Sequence, residues 1–396
     1  MGIYLDNNAT TALHPRVQET MVSVFRQGPS NASARHSPGR KARFVLERAR
    51  EQMAALLKAE QESVVFTGSG TEANNLALLG TLRASSKSSR HLVVSAQEHH
   101  AVLNAAHVLK AEGVAVTLVT PDSSGRVSVE AVRSALRGDT VLVSIMHANN
   151  ETGVIQPVSE IAAAVHAHGA LMHTDAVQTT GKMSVDVNEL GVDFLSLSGH
   201  KFYGPQGIGA LFVRDRTAIV PQIVGGGQED GLRAGTSNLA AIAGLGEAAF
   251  LADKSSKAGW DYMEAMRAVL EDGIARHVPE AVIIGREADR LTNTSLVCFP
   301  GRDGRHLAAQ LDEEGVFVST GAACTTDDES YSHVLMASGV PDSVGRGAVR
   351  FSLGHDNTEQ EMVLVIRSLL RIIGRRPSVA GLVGKALSLV GGQRRT

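Results

Sequence analysis

Cysteine is nearly missing from this 396-residue chain: there are two. That excludes a disulfide framework and suits a reducing compartment. An excess of one charge is missing too. Lys and Arg number 38 against 41 Asp and Glu, a net charge of −3, which favours neither a nucleic-acid partner nor an anionic membrane surface. No uninterrupted apolar run approaches the roughly 18 residues that a membrane span needs. The opening MGIYLDNNAT has no basic segment ahead of an apolar core, so no signal peptide is expected. Asp6 stands where a myristoylation motif beginning at Gly2 would want Ser or Thr. Internal repeats and low-complexity segments are also lacking. What remains is 43% hydrophobic and 20% charged, the make-up of an ordinary globular protein long enough for two domains. A cytoplasmic α/β protein is expected.

The patterning supports that class. In residues 40–57, Ala42, Val45, Leu46, Ala49, Met53 and Leu56 recur at helical spacing. SVVF at 63–66 reads as a buried strand, and TGSGTEANNLALLG turns from it into a helix. HLVVSA, VAVTLV, TVLVSIM, ALMHT, VDFLSLS and IGALFV are further short strands, with helical stretches such as 129–137 and 158–168 between several of them. Such alternation predicts a mainly parallel sheet covered on both faces, with ligands beyond the carboxyl ends of its strands. Near 250–260 the pattern changes and a long helical stretch begins. TNTSLVCFP, GVFVST and AVRFSLG then read as strands of a smaller mixed unit. The tail after 377 reads as a docked or frayed terminus, with a partner-binding helix as the alternative.

Three strand ends carry chemistry. ALMHTDAVQ puts Asp175 just past a buried strand, with Gln178 three residues on. VDFLSLSGHK puts Ser198, His200 and Lys201 past the next. VVFTGSGTEANN offers Gly68, Gly70 and Thr71 at a helix entry, where unpaired N–H groups and the helix dipole favour a phosphate. Singly, each has a plain structural explanation. Together they supply what pyridoxal phosphate requires: a lysine for the Schiff base, an aspartate to keep the pyridine nitrogen protonated, and an anion cup. A competing reading takes GSGTEA as the Gly-x-Gly-x-x-Ala of a dinucleotide site, with Glu98 as its acid beyond the next strand. That reading leaves Asp175, Lys201 and a loop cysteine unexplained.

Cys298, in SLVCFP, reads as a core residue, whereas Cys324, in STGAACTTDDES, reads as part of an exposed loop. A thiol beside a pyridoxal site can take sulfur from a bound amino acid. Arg350, in AVRFSLG, is either a solvent-facing position of an alternating strand or a fork for a substrate carboxylate. His99 or His100, after HLVVSA, can stack on a cofactor ring or shuttle protons; a shared metal is not expected. His166 and His168 read as surface residues.

With these residues in hand, the chain resembles the cysteine desulfurases, pyridoxal-phosphate enzymes of the aminotransferase class V group. The resemblance runs nearly end to end, through YLDNNATT, GTEANN, EHHAVL, SIMHANNETG, HTDAVQTTGK, LSGHKFYGPQGIGAL, GGGQEDGLRAGT, STGAACT and RFSLG. It implies that Lys201 carries the coenzyme and later acts as base at the substrate Cα. It implies that Asp175 pairs with the pyridine nitrogen, Gln178 with the ring oxygen, and that His99 stacks on the ring. Gly70, Thr71, Ser198 and His200 would hold the phosphate, with Thr236 contributed across a homodimer. Asn150 would orient ring and substrate, and Arg350 the substrate carboxylate. Cys324 would attack the sulfur of L-cysteine, releasing L-alanine and leaving a persulfide for an acceptor protein such as an iron–sulfur scaffold. Selenocysteine lyase or class V aminotransferase activity is the alternative. The implied fold is the type I fold of the aspartate aminotransferases. Residues 13–260 would form a large domain around a mainly parallel seven-stranded sheet, and 1–12 with 261–396 a smaller one bearing the cysteine loop.

The chain departs from the family pattern at three places. Ala32 stands where a proline is usual after Asn31, and His100 where a lysine is frequent. After Cys324 the loop reads Thr-Thr-Asp-Asp-Glu rather than Ser-rich, and three acids beside a thiol oppose thiolate formation.

Overall fold

The computed structural model describes residues 2–254, 257–321 and 331–375. In chain order its strands are β1 (Ile3–Tyr4), β2 (Val64–Thr67), β3 (His91–Ser95), β4 (Ala115–Val119), β5 (Thr140–Ser144) and β6 (Leu171–Asp175). They continue with β7 (Phe194–Ser198), β8 (Gly209–Val213), β9 (Val282–Ile283), β10 (Thr294–Cys298), β11 (Val316–Phe317) and β12 (Ala348–Ser352).

Seven of these form one sheet in the order β2-β8-β7-β6-β5-β3-β4. The links from β7 through β6, β5 and β3 to β4 are all parallel. β8 is antiparallel to both β7 and β2, so β2 runs the same way as β7 and β8 alone is reversed. The alternation within each run divides the core between the two faces of the sheet. Phe66, Val93, Val143, Leu195 and Phe212 pack on one face, and Val65, Leu92, Val94, Leu142 and Leu211 on the other. Only the edge strand β4 shows exposed apolar side chain, at Leu118. The mainly parallel seven-stranded α/β sheet expected from the sequence is therefore present.

The remaining strands join the two ends of the chain. β1 pairs with β11, and β12-β10-β9 form an antiparallel sheet. Leu5 packs there with Leu270, Val297, Phe351 and Val365. The two-residue β11 is far shorter than GVFVST suggested.

The long helical stretch expected to begin near 250–260 is present as the helix Lys257–His277. A further helix that the sequence did not reveal, Leu239–Lys254, precedes it, and every residue from Leu239 to Ala249 is buried. It packs against the helices Pro15–Arg26 and Ser37–Leu57. A helix covered on several sides has no polar face, so no amphipathic period marks its start.

No helix among the described residues is long and apolar enough to cross a membrane.

Candidate active site

Six strands point one way, so their carboxyl ends and the turns that follow share one edge of the sheet. A cavity of about 450 Å³ opens there. Its walls include Gly70, Thr71, His99, Asn150, Asp175, Gln178, Ser198, His200, Lys201 and Arg350, which are all the residues given a role by the resemblance except Thr236 and Cys324; Gly68 lies outside it. Thr236 is exposed and does not line this cavity. Cys324 lies outside the described residues, as does the tail beyond 375.

The phosphate-type cup follows from β2. The chain leaves that strand through Gly68 and enters the helix Gly70–Ala84, whose N-cap Ser69 accepts from the Glu72 N–H through its hydroxyl. Glu72 in turn accepts from Gly68 N–H and pairs with Arg233. The amides of Gly70 and Thr71 open the helix, where no preceding turn supplies carbonyls. A Cβ on Gly70 would stand 2.7 Å from Val177 Cγ2 and 3.3 Å from Ser198 Cβ, so the backbone is bare because nothing larger fits.

Asp175 ends β6 and is nearly buried. Its Oδ2 accepts from Asn74 Nδ2 at 2.7 Å and its Oδ1 from Val177 N–H at 2.9 Å, which holds the carboxylate in one orientation. Lys201 closes a short 3₁₀ turn after β7 and donates to the carbonyls of Asn8 and Ala9, both at 2.7 Å. His99 caps the helix His100–Ala111, its Nδ1 accepting from Ala101 N–H, so the neutral ring carries its proton on Nε2. Burial lowers the pKa of His99; Asp175 opposes this and Lys201 adds to it. His200 is pushed down to about 4 by burial and by the charges of Lys201 and Lys182.

The alternatives at Arg350 are decided by its burial: it is 5% exposed. Nη2 donates to Asp6 at 2.7 Å and Nη1 to the Asn150 carbonyl at 3.0 Å, while the buried Nε has no hydrogen-bond partner among the described residues. Glu98 is fully buried and accepts from Met146 N–H, which ties it into the protein interior rather than to a ribose. Burial raises its pKa well above the ordinary carboxylate range. His100 also lines the cavity, its ring 4.8 Å from that of His333. Cys298 is completely buried, as expected, and burial raises its pKa to about 12.

Several polar residues went unrecognised in the sequence. Asn8 is the most connected: its carbonyl accepts from Lys201 and Gln178, its Oδ1 from Lys182 and Asn293, and its Nδ2 donates to Asn150 and Thr294. Asn74 orients Asp175, and Glu151 lines the cavity, accepting from Ser332 Oγ at 2.5 Å. The signal for Asn8 and Asn74 lay in motifs read only as resemblance, YLDNNATT and GTEANN.

Residues 3–365 match the family described as aminotransferase class-V. The chain belongs to this family. Its members are pyridoxal-phosphate enzymes. Among relatives, "Cysteine desulfurase IscS" of Dictyoglomus turgidum is 40% identical over 378 residues, 96% of each chain. "Cysteine desulfurase" of Bradyrhizobium diazoefficiens is 42% identical over 374 residues, 94% of this chain and 95% of its own. A solved structure titled "NIFS-LIKE PROTEIN" superposes with a TM-score of 0.88 at 37% identity, covering 94% of this chain and all of that one.

The residues present fit pyridoxal phosphate. An oriented carboxylate, a lysine amine and a backbone cup that excludes a Cβ face one cavity. Those are the three groups that the pyridine nitrogen, the aldehyde and the phosphate require.

Proposed function

We propose that the protein is a cysteine desulfurase, moving the sulfur of L-cysteine to the Cys324 thiol and releasing L-alanine. The observation that carries this reading is the convergence of Lys201, Asp175 and the Gly70–Thr71 amides on one cavity, in a chain whose relatives bear that name over nearly their whole length. Pyridoxal phosphate, when bound, supplies an electron sink joined to the substrate amine.

The chain's own residues do the rest. Asp175, pinned by Asn74 and Val177, holds the proton on the pyridine nitrogen. Gly70, Thr71, Ser198 and His200 bind the phosphate, with Thr236 of the partner subunit completing the cup in a homodimer. Gln178 would donate to the ring oxygen and His99 would face the ring, its Nε2 able to carry a proton. Arg350, at the cavity wall, takes the substrate carboxylate, and Asn150 orients the substrate beside it. Lys201 holds the coenzyme and then moves the α-proton. As the substrate C–S bond breaks, sulfur joins Cys324 and the carbon left behind takes a proton, so cysteine and thiol give alanine and persulfide with no outside oxidant. A sulfur-acceptor protein, for example an iron–sulfur scaffold, discharges the persulfide. This chemistry suits a cytoplasmic setting. In this reading residues 13–260 carry the coenzyme, and 1–12 with 261–396 form the smaller domain bearing the cysteine.

Two measurements test the reading. Borohydride treatment of coenzyme-loaded protein should add the reduced coenzyme to the peptide containing Lys201. Cys324→Ser should stop alanine release from L-cysteine while leaving coenzyme absorbance intact; alanine release at the wild-type rate refutes the nucleophile.

A further inference from the structure

Lys182 lies behind the cavity wall, four residues after Gln178, and is 7% exposed. Among the described residues no carboxylate lies within ion-pair distance of it. Its Nζ donates instead to two amide oxygens, Gln178 Oε1 at 2.8 Å and Asn8 Oδ1 at 3.0 Å. A lysine nitrogen facing two carboxamides assigns their orientation, because only oxygen can accept from it. The Gln178 nitrogen must then face the other way, where it donates to the Asn8 carbonyl at 3.0 Å on the cavity side.

We propose that Lys182 is a positioning residue that holds the Gln178 carboxamide with its N–H donors toward the coenzyme's ring oxygen. The proposal rests on the pyridoxal-phosphate reading above. The Asn8 carbonyl can only accept, so it keeps the Gln178 nitrogen on its own side and Oε1 toward Lys182. Burial, with the charges of Lys201 and Arg350, lowers the Lys182 pKa well below its usual value. With an apolar side chain at 182 both amide oxygens would lose a buried donor. Gln178 could then turn and present Oε1 to a ring oxygen that itself needs a donor.

The test is a double-mutant cycle with Lys182→Met and Gln178→Ala, read by pH titration of the absorbance of the coenzyme-loaded protein. A donor to the ring oxygen favours its ionised form, so losing that donor raises the titration midpoint. Each single variant should move the midpoint up by about one pH unit and weaken coenzyme binding about tenfold. The double variant should move it no further than either single one. Inorganic phosphate, which meets only the cup, should bind apoprotein of all four forms alike. An unmoved midpoint in Lys182→Met, additive shifts in the double variant, or an equal loss of phosphate binding would each overturn the proposal. If Lys182→Met does not fold, Lys182→Gln takes its place in the cycle, and its shorter donor should give a smaller shift. Wild-type protein that takes up no coenzyme would refute the desulfurase reading instead. The same cycle scored by unfolding of apoprotein then decides whether residues 182 and 178 are coupled.

Discussion

Glu151 should make the protein lose stability as pH rises from about 4.5 to about 7, and Glu151→Gln should abolish that loss. The carboxyl is 3% exposed and its hydrogen-bond partner is the neutral Ser332 hydroxyl, at 2.5 Å. Burial raises its pKa from 4.5 to about 7, against smaller opposing effects of Ser332 and Arg350. Between those two values the folded protein holds a proton that the unfolded chain has released. The contribution is therefore intact below pH 4.5 and lost as pH rises through 7. The size of the shift corresponds to about 3 kcal/mol, of which most is missing by pH 8. Urea unfolding of wild type and Glu151→Gln, each saturated with coenzyme, measures it. The variants should lie within about 1 kcal/mol of each other at pH 5, with Glu151→Gln ahead by about 3 kcal/mol at pH 8. A gap of the same size at both pH values would show that no proton is involved and would refute the argument.

Gly70→Ala should weaken binding of inorganic phosphate about tenfold and cost about 1–3 kcal/mol of stability, because its Cβ would lie 2.7 Å from Val177. Isothermal calorimetry and urea unfolding read the two effects. Arg290→Met should cost about 3 kcal/mol by the same unfolding assay, since it strips the bidentate partner from a buried Glu271. Replacing both residues by Met should recover most of that loss.

The fold was legible where one physical pattern decided it. Short apolar runs with polar turns between them could only be strands buried on both faces, and β2, β3, β5, β7 and β8 are buried at every residue. Legibility failed for the helix Leu239–Lys254, where burial on several sides removes the period that makes a helix readable. It failed again at β11, because a two-residue pairing with β1 depends on a partner some 310 positions away in the chain. Arg350 shows a third limit. Strand alternation suggests that one face meets water, yet every residue of β12 is buried; the N-terminal segment pairs alongside it at Ser352 and Asp6 meets the guanidinium.

The same reasoning separates the site residues found in the sequence from those missed. Lys201, Asp175, His99 and the glycines before the helix announce themselves, because their chemistry is unusual at the end of a buried strand. Asn8, Asn74 and Lys182 do not, because an amide or a lysine is unremarkable until its neighbours are known. Their roles come from long-range geometry. Asn8 touches Asn150, Gln178, Lys182, Lys201 and Asn293, residues 142 to 285 positions away, and so joins the N-terminal segment to both the large sheet and β10's approach. The side-chain bonds leave the Gln178 and Asn8 carboxamides one orientation each, and the contacts run in series from Lys182 through Gln178 and the Asn8 carbonyl to Lys201. A site built this way places its reactive groups through lysine and amide donors and carbonyl acceptors whose roles are set only in the folded chain. That is why the reactive half could be read in one dimension and the supporting half required three.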